Sequence, residues 1–172
     1  MTTTTQSLII WLKNITDNAT PSGSAVAAAV LLDLAILEGP SDGAGKRVAY
    51  YRRAVETLGL LSGAMARYPR AFGQALSALD ACLASTKEIV IIGDPWEAAT
   101  QALLETVHKR YLPNKVLVVA HPEQVDELSQ RIPLLAGRTQ IDGAATAYVC
   151  ENYACQLPVT EPEALRAQLE QR

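Results

Sequence analysis

Aromatic residues are scarce in this chain: one Phe, two Trp and six Tyr among 172 positions, or 5%. Hydrophobic residues still reach 49%, so the core has to be built from Ala, Leu, Val and Ile. An excess of positive charge is also missing. Fifteen Lys and Arg face eighteen Asp and Glu, a formal charge of −3, which supplies no basic face for a sequence-independent grip on nucleic acid. Lys46, Arg47, Arg52 and Arg53 cluster, but Glu56 follows and all lie on the polar side of a helical pattern. They read as a solvated helix face.

Histidine and cysteine are few, at two and three. Three cysteines in a chain this long do not make a secreted disulfide scaffold. The spacing of Cys150 and Cys155 is not that of a C-x2-C knuckle, and His108 and His121 lie in distant segments, so no metal site is expected. Long apolar runs are absent too. The run from Ala25 to Leu32 is stopped by Asp33, far short of a membrane span. "MTTTTQSLIIWLKN" has no basic leader, and its apolar part, Leu8 to Leu12, is too short for a signal peptide. These features lead us to expect a soluble cytoplasmic protein with no nucleic-acid or membrane partner. There is no G-x-G-x-x-G, no G-x-x-x-x-G-K-[ST] and no G-x-S-x-G. No cofactor and no catalytic residue is therefore assigned. Asp17 and Asp33 cannot be paired for sugar chemistry, because the sequence sets no distance between them.

What is present divides near Lys87, into a helical segment over 1–86 and an α/β segment over 87–172, expected to pack as one unit. "TPSGSAVAAAVLLDLAILEG" predicts a helix capped by Ser22 or Ser24 and ended by Gly39 in the left-handed region. Apolar residues fill nearly every position from Ala25 to Leu37, so this helix must be packed on several sides. Val48, Tyr51, Val55, Leu58, Met65 and Tyr68, with Leu61 beside them, predict a second helix. Gly59 and Gly63 within it permit either a close helix contact or a break. Pro69 suits the start of a third helix, with Phe72, Leu76, Leu79 and Leu83 as its stripe and Ala75 and Cys82 alongside. Cys82 reads as a small core residue.

Beyond Lys87 the period changes. "EIVIIGDP", "NKVLVVAHP" and "TAYVC" read as strands. "WEAATQALLETVHKRYL" reads as a helix with Trp96, Leu103, Val107 and Tyr111 on one side, and "PEQVDELSQRI" as another. Thr160 to Glu163 forms a capping box for a final helix that turns Leu165 and Leu169 inward. Strand–helix–strand order predicts a small three-stranded, mainly parallel layer. Asp142-Gly143 is also a hairpin signal, which leaves the third strand's direction open.

Three places carry residues suited to chemistry. Gly93-Asp94 and His121 follow the first two strands, where open parallel sheets bind ligands; the same residues equally serve a tight turn and a cap. The loop holding Asp17, Ser22, Gly23 and Ser24 precedes the first helix. Cys150 and Cys155 allow three readings: a core thiol beside a loop thiol, a disulfide closing a short loop, or an active dithiol. A reactive thiol needs a nearby cation or helix N-terminus, and the adjacent Glu151 and Asn152 supply neither.

"DNATPSGSAVAAAVLLDLA", "YPRAFGQALSALD", "EIVIIGDP", "RYLPNKVLVVA" and "IDGAATAYVCENYACQLPVTEPEAL", in that order, resemble the C-terminal part of one family. It is the thioredoxin-domain-containing family of YyaL-type and spermatogenesis-associated protein 20-like proteins. The last segment is its most specific match. The resemblance implies an (α/α) toroid of the six-hairpin-glycosidase kind, of which this chain would hold the last helices plus an appended α/β segment. The thioredoxin-like domain and most of the toroid would be missing. Pro21-Ser22-Gly23-Ser24-Ala25 stands where the family usually has Pro-Ser-Gly-Asn-Ser. The implied function is a structural or interaction module without a complete active site. Alternatives are a part of an epimerase- or glycosidase-like enzyme completed by another chain, and a thiol-redox module using Cys150 and Cys155. Burying one Leu or Val is worth about 1.5–3 kcal/mol, and the first helix has more apolar faces than its successors cover. Self-association, or a chain supplying the missing helices, is therefore expected.

Overall fold

Ser22 starts the first helix: its Oγ accepts from the Ala25 N–H at 3.3 Å. The computed structural model describes residues 15–39, 45–151 and 154–171; the Leu8–Leu12 stretch and Asn152 lie outside them. Three helices come first, α1 (Gly23–Leu37), α2 (Lys46–Arg67) and α3 (Gly73–Leu83). Their shared core is Ala25, Ala28 and Leu32 of α1, Ala54, Leu58, Leu61 and Met65 of α2, and Phe72, Ala75 and Ala78 at α3. Alanine supplies half of that set, in keeping with the shortage of aromatics.

Several expected positions shift here. Val48, Tyr51 and Val55 face outward, and the inward row of α2 passes through Ala54 instead. Leu83 is exposed because Ala75 and Ala78 face the neighbouring helices and turn this end residue away, and Tyr68 is exposed at the C-cap of α2. Cys82 is half-buried against this core and unbonded to another cysteine. Gly59 and Gly63 make neither a contact nor a break. Helix α2 runs straight through them, and an added Cβ at either would meet nothing within 4 Å.

The second half places β1 (Lys87–Ile92), β2 (Lys115–Ala120), β3 (Thr146–Glu151) and β4 (Ala154–Cys155) in one sheet of order β2-β1-β3-β4. The expected three-stranded, mainly parallel layer is corrected to a four-stranded mixed sheet. Only β1 and β2 run parallel, with Ile89 beside Leu117. Strands β3 and β1, and then β4 and β3, are antiparallel. The reason is length. Returning past a six-residue strand of roughly 20 Å takes a helix of about thirteen residues. The helix in that connection, α5 (Val125–Ser129), has five. The chain stays at the carboxyl end of β1, turns through Asp142 (φ 49°) and Gly143 (φ 73°), and comes back antiparallel.

Helices α4 (Ala98–His108) and α6 (Pro162–Glu170) cover one sheet face. Leu103, Val107, Leu165 and Leu169 pack there on Ile89, Ile91, Ala147 and Val149. The other face, with Val90, Ile92 and Ala120, takes Val125, Leu134 and Leu135, and Ile36 and Leu37 from the end of α1. The two halves thus share a core through α1. Trp96 and Tyr111 fall outside α4 and are about nine-tenths exposed. The Asp94 carboxylate accepts the Trp96 N–H at 2.9 Å, and this turn delays the helix start. The capping box at Thr160 is not formed either. Glu161 is the N-cap and Pro162 the first helical residue, so Glu163 arrives one position too early to reach back. Among the described residues, no helix is long and apolar enough to cross a membrane.

Gly39 sits just past α1 with φ +61°, and an added Cβ would lie 3.2 Å from the Leu134 backbone nitrogen. Gly39→Ala is expected to cost about 1–3 kcal/mol through the left-handed backbone and that close approach. Gly59→Ala, on an open helix face, is expected to stabilise by about 0.4–1 kcal/mol. Urea unfolding of both variants checks the pair; equal effects would contradict this account.

Candidate functional site

The loop before α1 is held by Asp17. Its Oδ1 accepts from the Ser22 N–H at 2.8 Å and its Oδ2 from the Gln74 N–H at 2.7 Å. The Asp17 N–H donates to the Ala71 carbonyl at 2.8 Å. Asp17 therefore ties the start of α1 to the first turn of α3, where a negative charge is favourable. Ser22 is buried in its cap, while Gly23 is exposed and Ser24 half-buried on α1. Asp17, Ser22 and Gln74 come together, but they are joined to one another through backbone N–H groups.

Gly93, Asp94 and His121 do share the carboxyl rim of the sheet, because Ile92 pairs with Ala120 and the Gly93 N–H donates to the Ala120 carbonyl. Each is engaged locally. Gly93 is buried, and a Cβ there would lie 2.4 Å from Thr100 Oγ1 and 3.1 Å from Ala145 Cβ. Glycine is needed for α4 to approach the strand. Asp94 makes the turn to Trp96, and His121 Nδ1 accepts from the Glu123 N–H at 3.4 Å.

The cysteines give the most distinctive chemistry. Cys150 and Cys155 are directly opposed in the β3–β4 register and form a disulfide, with Cα atoms 4.0 Å apart. Cys150 is 1% exposed, whereas Cys155 is open to solvent. Arg138, which sequence spacing did not single out, lies beside them. Its Nη2 is 3.2 Å from Cys150 Sγ and 3.7 Å from Cys155 Sγ, while its Nε donates to the Leu134 carbonyl at 2.9 Å. The guanidinium also stacks on Tyr148, 5.0 Å from the ring centre. Tyr148 is fixed by Thr139, donating to its carbonyl and accepting from its N–H. Glu88, opposite Cys150 on β1, is buried. Burial pushes its carboxyl above the usual range, and Arg138 and Arg47 pull it partly back. Asp142-Gly143 was the available signal for Arg138, since a hairpin there folds residues before the turn back along β3.

These features define a mixed α/β module: a three-helix layer sharing α1 with a four-stranded sheet, its last hairpin joined by a disulfide beside a guanidinium. Over most of its own length the chain is similar to the spermatogenesis-associated protein 20 proteins. It is 39% identical to spermatogenesis-associated protein 20 of Rattus norvegicus over 160 residues, 93% of this chain and 19% of that protein. The Homo sapiens protein is 39% identical over 155 residues, 90% of this chain and 19% of its own length. The chain thus spans about a fifth of the curated relatives it matches, and corresponds to one region of a larger protein. No family model matches the chain, and no solved structure matches it.

Glu88 supplies a pH signature. Its folded carboxyl holds a proton more tightly than the unfolded one. Between the two pKa values the folded state binds more protons, so stability falls as pH rises. Glu88→Gln is expected to gain stability relative to the parent as pH goes from 4 toward 7, by at most about 1.4 kcal/mol per pH unit within the window. Urea unfolding across that range checks this; a difference that does not change with pH contradicts it.

Proposed function

We propose that this chain acts as a structural and docking module of a spermatogenesis-associated protein 20-like protein, without a complete active site of its own. One observation carries the reading. Helix α1 buries Ala25, Ala28, Leu32 and Ala35 while its larger Val26, Val30 and Leu34 stand outside, 40%, 48% and 37% exposed. A helix that needs no further partner turns its large apolar residues inward. Single exposed apolar residues are ordinary, but these three repeat every fourth residue and so share one face. Helix α2 repeats the arrangement with Val48, Tyr51 and Val55.

The occupant we assign is the remainder of the larger polypeptide, since the matched relatives are about five times as long as the shared region. Helices of an (α/α) arrangement, as the sequence resemblance implies, suit a flat face of this kind. In the isolated chain a second copy is the available substitute. The Asp17–Ser24 loop adds support for a scaffold role, because both Asp17 oxygens already accept backbone N–H groups.

Sedimentation velocity on the isolated chain should show self-association at micromolar concentration. A Val26→Asp, Val30→Asp double variant should be monomeric with its melting temperature nearly unchanged. A parent chain that is monomeric and binds no apolar dye overturns the docking face, and so does a double variant that associates as before.

A further inference from the structure

The disulfide is asymmetric in two respects. Its Cys155 sulfur belongs to an exposed residue and its Cys150 sulfur to a buried one. The guanidinium of Arg138 lies closer to the buried sulfur, at 3.2 Å against 3.7 Å. Among the described residues Arg138 makes no ion pair. A neutral disulfide sulfur is a weak acceptor and gains little from a cation. Glu88 acts on Arg138 only at longer range and is pushed toward its neutral form by burial, so a thiolate in the same place would be the contact counter-ion this half-buried guanidinium lacks. The geometry thus suits the reduced state at Cys150 better than the oxidised one.

The hairpin around the pair is also held by contacts other than the S–S bond. The Gln156 N–H donates to the Val149 carbonyl at 3.0 Å, and Ala147 and Val159 exchange two backbone hydrogen bonds. Lys87 and Glu151 form an ion pair at 3.0 Å, and Gln168 Nε2 donates to the Leu157 carbonyl at 2.7 Å. A bridge between residues five apart closes a short loop, the kind that restricts the unfolded chain least.

We propose that Cys155–Cys150 is a thiol–disulfide exchange centre, with Cys155 the attacked sulfur, Cys150 the leaving thiolate and Arg138 its counter-ion. The electron donor is a dithiol. One donor thiolate attacks Cys155 Sγ, forming a mixed disulfide. The S–S electron pair passes to Cys150 Sγ, which becomes a thiolate beside Arg138. The donor's second thiol loses its proton to water and attacks the donor sulfur of the mixed disulfide. That closes the donor's own disulfide and releases Cys155, which takes a proton from water. Two electrons enter the chain and the dithiol leaves oxidised. Attack is directed by exposure, and departure is speeded by a stabilised leaving group. Glu88 on β1, Arg47 acting on Glu88 from α2, and Tyr148 are the ionisable groups acting on this centre, and Asp33 of α1 lies on the same sheet face beside Val116 and Val118 of β2. Strand alternation puts the Lys87–Glu151 pair on the opposite face.

The test uses the full chain carrying Cys82→Ala, which removes the remaining thiol. Oxidised protein is treated briefly with glutathione, quenched under denaturing conditions with an alkylating reagent, and mapped by peptide mass spectrometry. Glutathione should sit on Cys155 and the alkyl group on Cys150, with a preference of about tenfold or more. Glutathione on Cys150, or divided evenly, overturns the proposal. In the reduced Cys155→Ser protein, thiolate ultraviolet absorbance against pH should titrate below the ordinary thiol value of about 8.5. Arg138→Gln should raise that midpoint and slow reduction by dithiothreitol about tenfold, and Arg138→Lys should restore most of both. If Arg138→Gln alters only the melting temperature, Arg138 is structural and the exchange centre as assigned is wrong. Should that variant not fold, the adduct position in the Arg138 protein still decides. These readouts are independent of the α1 and α2 docking face.

Discussion

Strand β1 has no exposed face and no free edge, and the rest of the fold answers that constraint. Glu88 through Ile92 are all buried, with β2 on one edge and β3 on the other. Burial of each Ile or Val is worth about 1.5–3 kcal/mol only while both faces are covered. Helices α4 and α6 cover one side. The other side takes α5, the Leu134–Leu135 turn and the last residues of α1. The helical half is thereby joined to the sheet by the demands of a single strand. The same strand draws in Glu88, whose buried carboxyl sits near Arg138 and Arg47. One guanidinium consequently serves two neighbours, a carboxyl that burial tends to neutralise and a neutral disulfide.

The shortage of aromatic residues has a second consequence. A core filled by Ala25, Ala28, Ala54, Ala75 and Ala78 brings three helices together on short side chains. Dense packing is then reached without bulk, and the bulkier Val and Leu residues of α1 and α2 are left for the outer side. Composition and the exposed face are two aspects of one choice of side-chain size.

The features readable in the sequence were those set by local chemistry. Ser22 capped and Gly39 took a positive φ because neighbouring backbone alone required it. The β-branched runs at 88–92 and 115–120 became strands, and Leu165 and Leu169 turned inward, because period and burial agreed. What was not legible depended on distant partners. The inward row of α2 was decided by the small faces of α1 and α3, not by the size of Val48 or Tyr51. Trp96 is lost from the helix face to a side-chain turn at Asp94, and Tyr111 lies beyond the end of α4 at His108. Cys150 and Cys155 stand out in the sequence as a pair, but the cation beside them is not a sequence neighbour. It lies twelve positions upstream of Cys150, across a hairpin whose register the Asp142-Gly143 signal alone does not set.

The direction of β3 decides which groups can act together. In a parallel sheet the end of β3 would meet the carboxyl rim, and Cys150 would join Gly93, Asp94 and His121. The reversal instead pairs Cys150 with Glu88, at the amino end of β1, while Thr146 pairs with Ile92. Four strand residues, about 13 Å, then separate the sulfurs from the rim. The rim residues are left with local turns and caps. The cysteines gain Arg138, because the same turn that reverses β3 folds the preceding segment back beside it. A five-residue helix in place of a full crossover therefore removes one candidate site and builds another.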